Sequence, residues 1–493
     1  MSGIKQVFLF LLGALFLHQS IQAQGRTANW IFGDGYHIKY TDGVPEVMPF
    51  VESFRANEAA TCISDTGGTL LFFSNSSQLW NRNFQPLWNS DTLSSVGGTK
   101  TNGTIILPWP GDEHDTYFIH FYIDGSDSKL YYNKVNINLD GGLGGVVPEQ
   151  KQVLVWDHPV CEQLSAVRHA NGRDWWVISR KGLWESTHFD LLLLTPAGIV
   201  QMHPQFSGYR GGFGGEMTIS RYGSLLAIAT TDDLCFPNPP TIALYDFDRC
   251  TGEIQLRDTL LIRECHNNSY GLAFSASGSK LYYSLSNRFQ LYQIETSHDV
   301  LVDSLILKLA GPSFSLMYTA QLELAVNGQI VLGVVRLSPT SGTDGFADHL
   351  IVIREPELEG IACYVDTFGI YLNGRENSSY SLPNFANYDL GPIVGSPCDT
   401  LSPQDTTLTS LHHPPIETLS WSINPSIGSG SFTVTGGPSS WLVVHDLYGR
   451  EVLRLCHEGS TPFDLMAQPA GVYLVYLRAA DGTQTLPRKI VRQ

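Results

Sequence analysis

Hydrophobic and polar residues along the long N-terminal part of the chain follow a unit that repeats six times. Each unit is a short apolar segment, a turn that contains glycine, and a second, strongly apolar segment, which predicts two antiparallel strands. The turn glycines are Gly67, Gly111, Gly172, Gly223, Gly278 and Gly328, whose numbers differ by 44 to 61. A period near fifty residues is typical of β-propellers, in which each blade is a four-stranded sheet of roughly 40–50 residues.

A seventh blade is predicted where the two ends of this region meet. Residues 30–40 have a hairpin pattern around Asp34-Gly35. The segment 364–371 is expected to pair with that hairpin, because joining the first and last strands in one blade removes open sheet edges. We therefore predict an all-β fold in which residues 24–395 form a β-propeller of about seven blades, with six as the alternative. A pair of β-sandwiches is the rival fold, and the single sustained period argues against it.

The last part of the chain, residues 420–493, has a different pattern of short strands. Runs rich in β-branched and aromatic residues, such as 441–444 and 472–477, are separated by turns that contain glycine and aspartate. This spacing predicts a small Ig-like β-sandwich. Between the two domains, residues 396–419 are rich in Pro, Ser, Thr and Asp, which predicts a semi-extended linker.

The N-terminus and the composition both favour export. Lys5 precedes an apolar stretch from Val7 to Leu17, and Ala23 supplies a small residue for cleavage, so residues 1–23 are predicted to be a signal peptide. No later segment has the apolar length of a membrane-spanning helix. The formal net charge of −17, with 16% charged residues, opposes binding to nucleic acid, which requires basic patches.

The eight cysteines are compatible with disulfides in an exported chain. There is no Cys-x-x-Cys pair, so a zinc ribbon or a thioredoxin-type site is not expected. Cys235, Cys250 and Cys265 lie nearest to one another in sequence and are expected to include a local pair. The alternative is that several cysteines are free and buried, where they act as small hydrophobic residues.

The tail carries a family resemblance in the order of its motifs. Asn424-Pro425 comes first, a turn with Gly449 follows, Gly471 and Tyr473 begin a strongly apolar strand, and Lys489 lies in the final basic segment. This arrangement resembles the C-terminal sorting domain of Bacteroidetes type IX secretion substrates. The resemblance implies passage through the periplasm, contact between the tail and the type IX machinery, and release or attachment at the outer cell surface.

The N-terminal region also resembles a group of secreted Bacteroidetes propeller proteins that have the same kind of sorting tail. The similar phrases are 30–33, 79–83, 164–177 and 381–385. The resemblance implies a secreted propeller and no particular activity.

A search for catalytic motifs finds no Gly-x-Ser-x-Gly elbow, no His-Glu-x-x-His sequence and no phosphate-binding loop. The glycine-rich run 211–216 is not followed by a predicted helix, so it is interpreted as a blade connection rather than a phosphate cradle. Arg168 and His169, with Asn171 and Asp174, form a dense polar cluster. A histidine and an aspartate can act as acid and base, but the same phrase is typical of a turn capped by Asp174.

Glu162 and Glu216 precede predicted first strands of blades, where side chains line the central channel. Two such carboxylates can hydrolyse a glycosidic bond when their separation is suitable. The segment 124–128 offers oxygen ligands that suit calcium, although it lacks the distal glutamate of a complete calcium loop. No other cofactor is expected. Glu162, Arg168, His169 and Glu216 are assigned to a candidate ligand face.

Three functions are consistent with these observations. The favoured one is a secreted or surface-anchored binding or adhesion protein, not an enzyme, whose loops hold an extracellular protein or glycan. Aromatic residues such as Trp109, Trp184 and Tyr209 would supply flat apolar surface there. The alternatives are a secreted hydrolase of polysaccharide or peptide that uses channel carboxylates, and a structural component of the cell surface or gliding apparatus. Fold alone does not choose among them.

Overall fold

The computed structural model of the chain describes residues 24–91, 93, 101–123, 129–182, 186–212, 214–230, 241–262, 269–286, 289–298, 300–308, 317–336, 348–399, 401, 421–437, 440–446, 451–478 and 488–493. Regular structure in these residues consists of β-strands and a few short 3-10 helices. The chain divides into two compact units, Met1–Pro403 and Gln404–Gln493. The predicted signal peptide and most of the predicted linker lie outside the described residues.

Within the described residues, seven small antiparallel sheets follow one another along the first unit. Sheet 1 contains β1 (Asn29–Phe32), β2 (Tyr36–Thr41) and β3 (Val44–Val47), and sheet 2 contains β4 (Thr61–Ser64), β5 (Leu70–Ser74) and β6 (Leu79–Asn81). Sheet 3 contains β7 (Ile106–Trp109), β8 (Asp112–Ile123), β9 (Lys129–Asn136), β10 (Gly145–Val146) and β11 (Val153–Trp156). Sheet 4 contains β12 (Val160–Arg168), β13 (Trp175–Lys181), β14 (Ser186–Thr195), β15 (Gly198–Gln201) and β16 (Gln205–Gly211).

The remaining three sheets each have four strands in chain order. Sheet 5 contains β17 (Met217–Ile219), β18 (Leu225–Thr230), β19 (Thr241–Phe247) and β20 (Ile254–Leu261). Sheet 6 contains β21 (Ser269–Phe274), β22 (Lys280–Leu285), β23 (Gln290–Glu295) and β24 (Asp303–Lys308). Sheet 7 contains β25 (Met317–Leu324), β26 (Ile330–Arg336), β27 (His349–Ile353) and β28 (Val365–Tyr371). The 3-10 helices are Gln24–Thr27, Asp140–Gly142, Pro148–Gln150 and Gly360–Cys363.

The six glycine turns predicted from the sequence join the first and second strands of sheets 2 to 7. A glycine in each of these turns has a φ angle between 72° and 83°, a left-handed conformation that costs glycine little because it has no Cβ. The glycines are Gly68, Gly111, Gly172, Gly223, Gly278 and Gly328. The repeat is therefore confirmed as the first hairpin of sheets 2 to 7. In the first copy, the left-handed residue is Gly68 rather than Gly67.

The buried side chains link the seven sheets into a closed series. Separate hydrophobic clusters join sheets 2, 3 and 4, sheets 4 and 5, sheets 5 and 6, and sheets 6 and 7. The last cluster contains Trp30 of sheet 1, Phe73 of sheet 2 and Val352 of sheet 7, so the final sheet packs on the first. First strands of neighbouring sheets also contact one another, as β12 does with β17, β17 with β21, and β21 with β25. The described residues therefore form an all-β, propeller-like arrangement.

The predicted strand pairing at the ring closure was wrong. The hairpin of β1 and β2 is present, but its third strand is β3, and β28 pairs with β27 in sheet 7. Pairing β28 with its neighbour in sequence closes a short loop, whereas pairing it with residues 30–40 would close a loop of more than three hundred residues at a larger entropic cost. The ring closes through side-chain packing between sheets 7 and 1 instead of a shared sheet.

The segment that follows β28 passes along the inside of the ring, and we call residues 377–389 the plug. Near its start, the Leu382 amide donates a hydrogen bond to the Gln321 side chain at 2.5 Å, and the Asn384 amide donates to the Ala60 carbonyl at 2.8 Å. Farther along, the Tyr388 hydroxyl donates to the Ile106 carbonyl at 2.8 Å. Because these partners belong to sheets 2, 3 and 7, the plug ties separate sheets together.

The Asn384 side chain bonds to three carbonyl groups from outside the plug. Its Nδ2 lies 3.4, 3.0 and 3.3 Å from the carbonyl oxygens of Asn102, Thr104 and Leu164. We expect Asn384→Ala to lower the free energy of unfolding by about 2 kcal/mol, because buried carbonyls lose their donor. Asn387→Ala in the same plug is the matched control. It removes a bond to the Arg221 carbonyl and an exposed bond from the Asp389 amide, and it should cost clearly less. Equal losses in urea unfolding would contradict the special role of Asn384.

Beyond the plug, the chain is attached to turns of sheets 4 and 5. The Ile393 amide donates to the Ala170 carbonyl at 2.8 Å, and a disulfide joins Cys250 to Cys398, whose Cα atoms are 5.5 Å apart. The expectation of a local pair was therefore wrong for Cys250, because the returning chain brings a cysteine 148 residues away beside it. Cys235 and Cys265 lie outside the described residues. Cys62 and Cys363 are buried and are not in disulfides.

The second unit contains two sheets that share one hydrophobic core. A three-stranded sheet has the order β29 (Trp421–Asn424), β31 (Ser431–Gly436) and β34 (Ser460–Asp464). A five-stranded sheet has the order β30 (Ile427–Gly428), β36 (Arg488–Arg492), β35 (Gly471–Arg478), β32 (Ser440–Asp446) and β33 (Glu451–His457). Phe432 from the first sheet and Val444 and Val475 from the second lie in the same buried cluster. Among the described residues of the whole chain, no helix is long and apolar enough to cross a membrane.

Candidate functional site

The first strands of sheets 4 to 7 and the plug surround a central channel. Its inner part is a cavity of about 130 Å³ whose polar lining includes Asn102, Glu216, Glu323 and Asn384. The lining also includes Arg221 and Val326, so the cavity extends toward the glycine turns. We call the other end of the channel, at which these first strands begin, the mouth. The glycine turns lie at the opposite end, because each follows the last residue of a first strand.

Glu216 is held in the channel by backbone amides that irregular strands expose. The register of β21 shifts between Ser269 and Leu272, and that of β25 shifts between Thr319 and Leu322. Such β-bulges release amides from the sheet ladder. The Leu272 and Leu322 amides donate to Oε2 of Glu216 at 2.6 and 3.0 Å. One carboxylate therefore joins the first strands of sheets 6 and 7 to sheet 5.

The surroundings of Glu216 favour its protonated form. The side chain is 4% exposed, and burial raises its pKa to about 8, although the two amides and the Asn102 side chain favour the charged form. Burial also raises the pKa of Glu323 well above its usual range, and the charge of Glu216 adds to that rise. Raised carboxyl pKa values occur in general acids. Here, however, a substrate that approached Oε2 would have to displace two backbone donors.

The channel mouth contains a second group of side chains, Glu58, Thr101, Glu162, Tyr270, Tyr318 and Tyr380, which we call the mouth cluster. The Thr101 hydroxyl lies 3.3 Å from Oε2 of Glu162 and 3.1 Å from the Tyr270 hydroxyl. The ring of Tyr380 lies 5.4 Å from that of Tyr270 and 6.5 Å from that of Tyr318.

Two acidic side chains act on the tyrosines of the mouth cluster. Burial raises the pKa of the Tyr270 hydroxyl well above its usual range, and the charges of Glu58 and Glu162 raise it further. Burial also raises the pKa of Tyr380 to about 12, with a contribution from Glu58. The mouth therefore combines aromatic rings with acidic side chains that come from several sheets.

Glu162 and Glu216, which the sequence placed near the channel, are both close enough to Tyr270 to influence its hydroxyl. Their positions differ, since Glu162 is partly exposed at the mouth and Glu216 is buried. The structure therefore brings the two residues into one region without giving them the same surroundings.

Arg168 and His169 lie at the other end of β12. Six residues separate Glu162 from Arg168, which is about 20 Å along a strand. Arg168 is buried, makes two bonds of 2.5 and 2.9 Å to the Glu113 carboxylate, and stacks 4.1 Å from the Trp175 ring. His169 accepts a bond from the Asn171 amide at 3.1 Å. Both residues thus stabilise the first hairpin turn of sheet 4, away from the mouth cluster.

The glycine-rich connection 211–216 is fixed by buried side chains that the sequence analysis did not identify. The Gly212 carbonyl accepts a bond from Arg180 at 2.8 Å, and the Gly214 carbonyl accepts one from Gln163 at 3.3 Å. The connection is followed by the strand β17 and not by a helix, which agrees with its interpretation as a connection between blades. Phe213 lies outside the described residues.

Three further sets of predicted residues can be placed. The possible calcium segment 124–128 lies outside the described residues, within which no group of three or more His, Cys, Asp or Glu side chains is arranged to hold a metal. Trp109 is 6% exposed and ends β7, so it is not the exposed loop aromatic that we expected. Trp184 lies outside the described residues, and Tyr209 belongs to β16.

The residues of the sorting motif are spread over the tail. Asn424 ends β29 and precedes Pro425, Gly471 begins β35, and Lys489 is exposed in β36. Tyr473 is buried, and its hydroxyl donates to the Pro469 carbonyl at 2.7 Å. Gly449 lies outside the described residues.

No protein-family model and no curated protein sequence matches this chain. Among solved structures, it is similar to the periplasmic gluconolactonase PpgL of Pseudomonas aeruginosa, with 10% identity, a TM-score of 0.39, and coverage of 94% of this chain and 98% of that chain. It is also similar to a protein from Lactobacillus plantarum, with 11% identity, a TM-score of 0.38 and coverage of 85% and 92%. A third similar structure is the β-propeller domain of Cps50 (Swd1) from Myceliophteria thermophila, with 15% identity, a TM-score of 0.38, and coverage of 64% of this chain and 95% of that chain. Structural similarity at such low identity and TM-score does not indicate a function.

Proposed function

We propose that this chain is an exported binding protein whose first unit is a seven-bladed β-propeller. The blade count is supported by seven consecutive sheets and by the buried cluster that joins the seventh sheet to the first. The second unit, with two sheets around one core, would be an Ig-like sandwich that acts as a type IX sorting domain. The ligand would be an extracellular protein or glycan, bound while the chain is released or attached at the outer cell surface.

The observation that carries the binding function is the plug. It fills part of the channel with the chain's own residues, and its backbone and side chains make hydrogen bonds to sheets 2, 3, 4 and 7. A deep channel open to a substrate is therefore not available at that level. Recognition is left to the mouth and the outer faces, where a partner can bind without entering the ring.

The second candidate function is hydrolysis by Glu162 and Glu216. It is favoured by the raised pKa of Glu216, which suits a general acid. It is opposed by the burial of Glu216 and by the two amides on its Oε2. We therefore place hydrolysis second.

The binding function is tested with the purified full chain and an array of extracellular glycans and surface proteins. We expect saturable binding to at least one ligand, with the same affinity in Glu216→Gln, because Glu216 is buried below the mouth. The control Glu253→Gln removes an exposed charge at a turn of sheet 5 and should also leave binding intact. Absence of saturable binding to any array component would count against this function.

Export through the tail is tested in the producing cell by deleting residues 420–493. The proposal predicts that the shortened chain accumulates in the periplasm, because the sorting domain is missing. The first unit can still fold, since it has its own hydrophobic clusters. Delivery of the shortened chain to the cell surface or medium at the full-length level would refute the sorting role.

A further inference from the structure

The mouth cluster has a chemical composition that suits one class of ligand group. Three tyrosine rings and two carboxylates come from β21, β25, the plug, the connection before β4, and β12. Tyrosine rings attract cations to their faces, and carboxylates attract them by charge and by hydrogen bonding. We propose that the mouth cluster is a binding site for an organic cation, namely the ammonium or guanidinium group of a lysine or arginine side chain on a partner protein. This inference rests on the proposed binding function and names the ligand chemistry at its mouth.

The accessibility of the cluster supports this assignment. Tyr318, Tyr380, Glu58 and Glu162 each retain part of their surface, whereas Tyr270 is 8% exposed. Tyr380 belongs to the plug, and its carbonyl accepts a bond from the Gln321 amide at 3.3 Å. A lysine or arginine side chain carries its charge at the end of a flexible apolar stem. Such a stem can carry the charge to a partly recessed ring. An amine attached directly to a sugar ring has no stem of this kind and reaches the ring less well.

The positions of the carboxylates are set by the fold. The Glu58 carbonyl accepts a bond from the Gln321 side chain at 3.0 Å, and Thr101, fully buried, lies beside Glu162. Gln321 also holds the plug through Leu382. The backbone that carries Glu58 and the backbone that carries Tyr380 are therefore tied to the same glutamine, which keeps charge and ring near each other before a ligand arrives.

The site is distinct from the carboxyl groups of Glu216 and Glu323 in the inner cavity. Burial raises the pKa of Glu216 to about 8, so this group carries little charge at neutral pH, and burial also raises the pKa of Glu323 well above its usual range. The mouth cluster differs from that cavity in that it brings three tyrosine rings together with two partly exposed carboxylates.

The test measures the affinity of the full chain for fluorescent hexalysine and hexaarginine, with hexaglutamate as the negative probe. We expect Glu162→Gln and Glu58→Gln each to weaken hexalysine or hexaarginine binding by about tenfold, because a close opposite charge is lost. We expect Tyr318→Leu to weaken it by about fivefold, and Tyr318→Phe by less than about twofold, since phenylalanine keeps the aromatic face. Thermal melts establish that each variant is folded, and the Tyr318 pair decides the question if a glutamate variant does not fold.

Glu253→Gln is the matched control, because it changes the net charge by the same amount as Glu162→Gln at an exposed turn. If Glu253→Gln weakened binding of the basic probes as much as Glu162→Gln does, the probes would respond only to the net charge of −17. That result would contradict the proposed site. Failure of both basic probes to bind, while the array yields other saturable ligands, would overturn this inference and leave the binding function standing. Preferential binding of a chitosan hexamer that depends on Glu162 would overturn the assignment to a protein side chain.

Discussion

Replacing both Cys250 and Cys398 by alanine is expected to lower the free energy of unfolding of the first unit by about 4 kcal/mol, because the disulfide closes a very long loop in the unfolded chain. The two cysteines are 148 residues apart in sequence. The bond also holds the end of the returning chain against sheet 5, next to the hydrogen bond between Ile393 and Ala170. Urea unfolding of the oxidised full chain, followed by intrinsic fluorescence, measures the change.

Cys456→Ala is the control for this prediction, because Cys456 is exposed in the second unit and is not disulfide-bonded. It should leave the transition of the first unit unchanged. If the double variant unfolded at the same urea concentration as the parent chain, the disulfide would not stabilise the closed ring.

Glu216 is expected to make the stability of the first unit fall as the pH rises. Its pKa in the folded chain is about 8, above the usual value near 4.5, so the folded state binds a proton that the unfolded state has released. The stabilisation is therefore complete below about pH 4.5 and is lost as the pH approaches 8. Over that interval the loss is on the order of 4 kcal/mol, and between pH 6.5 and 8 it is about 2 kcal/mol.

The upper part of this interval is the better window for the measurement. Burial lowers the pKa of His37 to about 4, so its contribution is complete above pH 6.5 and is lost only as the pH falls toward 4. Glu216→Gln keeps an acceptor oxygen for the two amides and removes the titration. We expect this variant to lose clearly less stability than the parent between pH 6.5 and 8, with a remainder from Glu323. Glu253→Gln should lose as much stability as the parent chain over this pH range. If Glu216→Gln also lost as much, the pH dependence would not come from Glu216.

The sequence predicted the parts of the fold that local physics determines. A tight turn requires a residue that tolerates a left-handed φ angle, so the glycines of sheets 2 to 7 were visible in the sequence. Their spacing indicated the repeated sheets. The two-sheet character of the tail followed in the same way from short apolar strands and turn residues. These features depend on neighbours within about ten residues.

The features that the sequence did not reveal depend on contacts between distant residues. Nothing near Val365 indicates that β28 pairs with β27, and nothing near Cys250 points to Cys398. The plug was visible only as the phrase 381–385 in a family resemblance, without a structural role. Tyr270 and Tyr380 became candidate site residues only when the bulge in β21 and the path of the plug brought their rings to within 5.4 Å.

The candidate site, like the fold, was predicted only in part from the sequence. Glu162 and Glu216 were assigned to the channel because they precede first strands, and the structure places both near Tyr270. Arg168 and His169 were grouped with them, but they lie at the far end of β12. Strand periodicity identifies the face of a sheet on which a residue lies. It does not show which backbone amides a bulge releases, and those amides determine the environment of Glu216.

The measurement that tests the central claim most directly is product release by the full chain from the glycans and peptides that it binds. Parent chain, Glu162→Gln and Glu216→Gln are incubated with each bound ligand at pH 6.5, and the soluble products are analysed by mass spectrometry. The binding account predicts that all three return the ligand intact. Products that the parent chain releases and that either variant abolishes would show that the channel carboxylates are catalytic and would contradict the account.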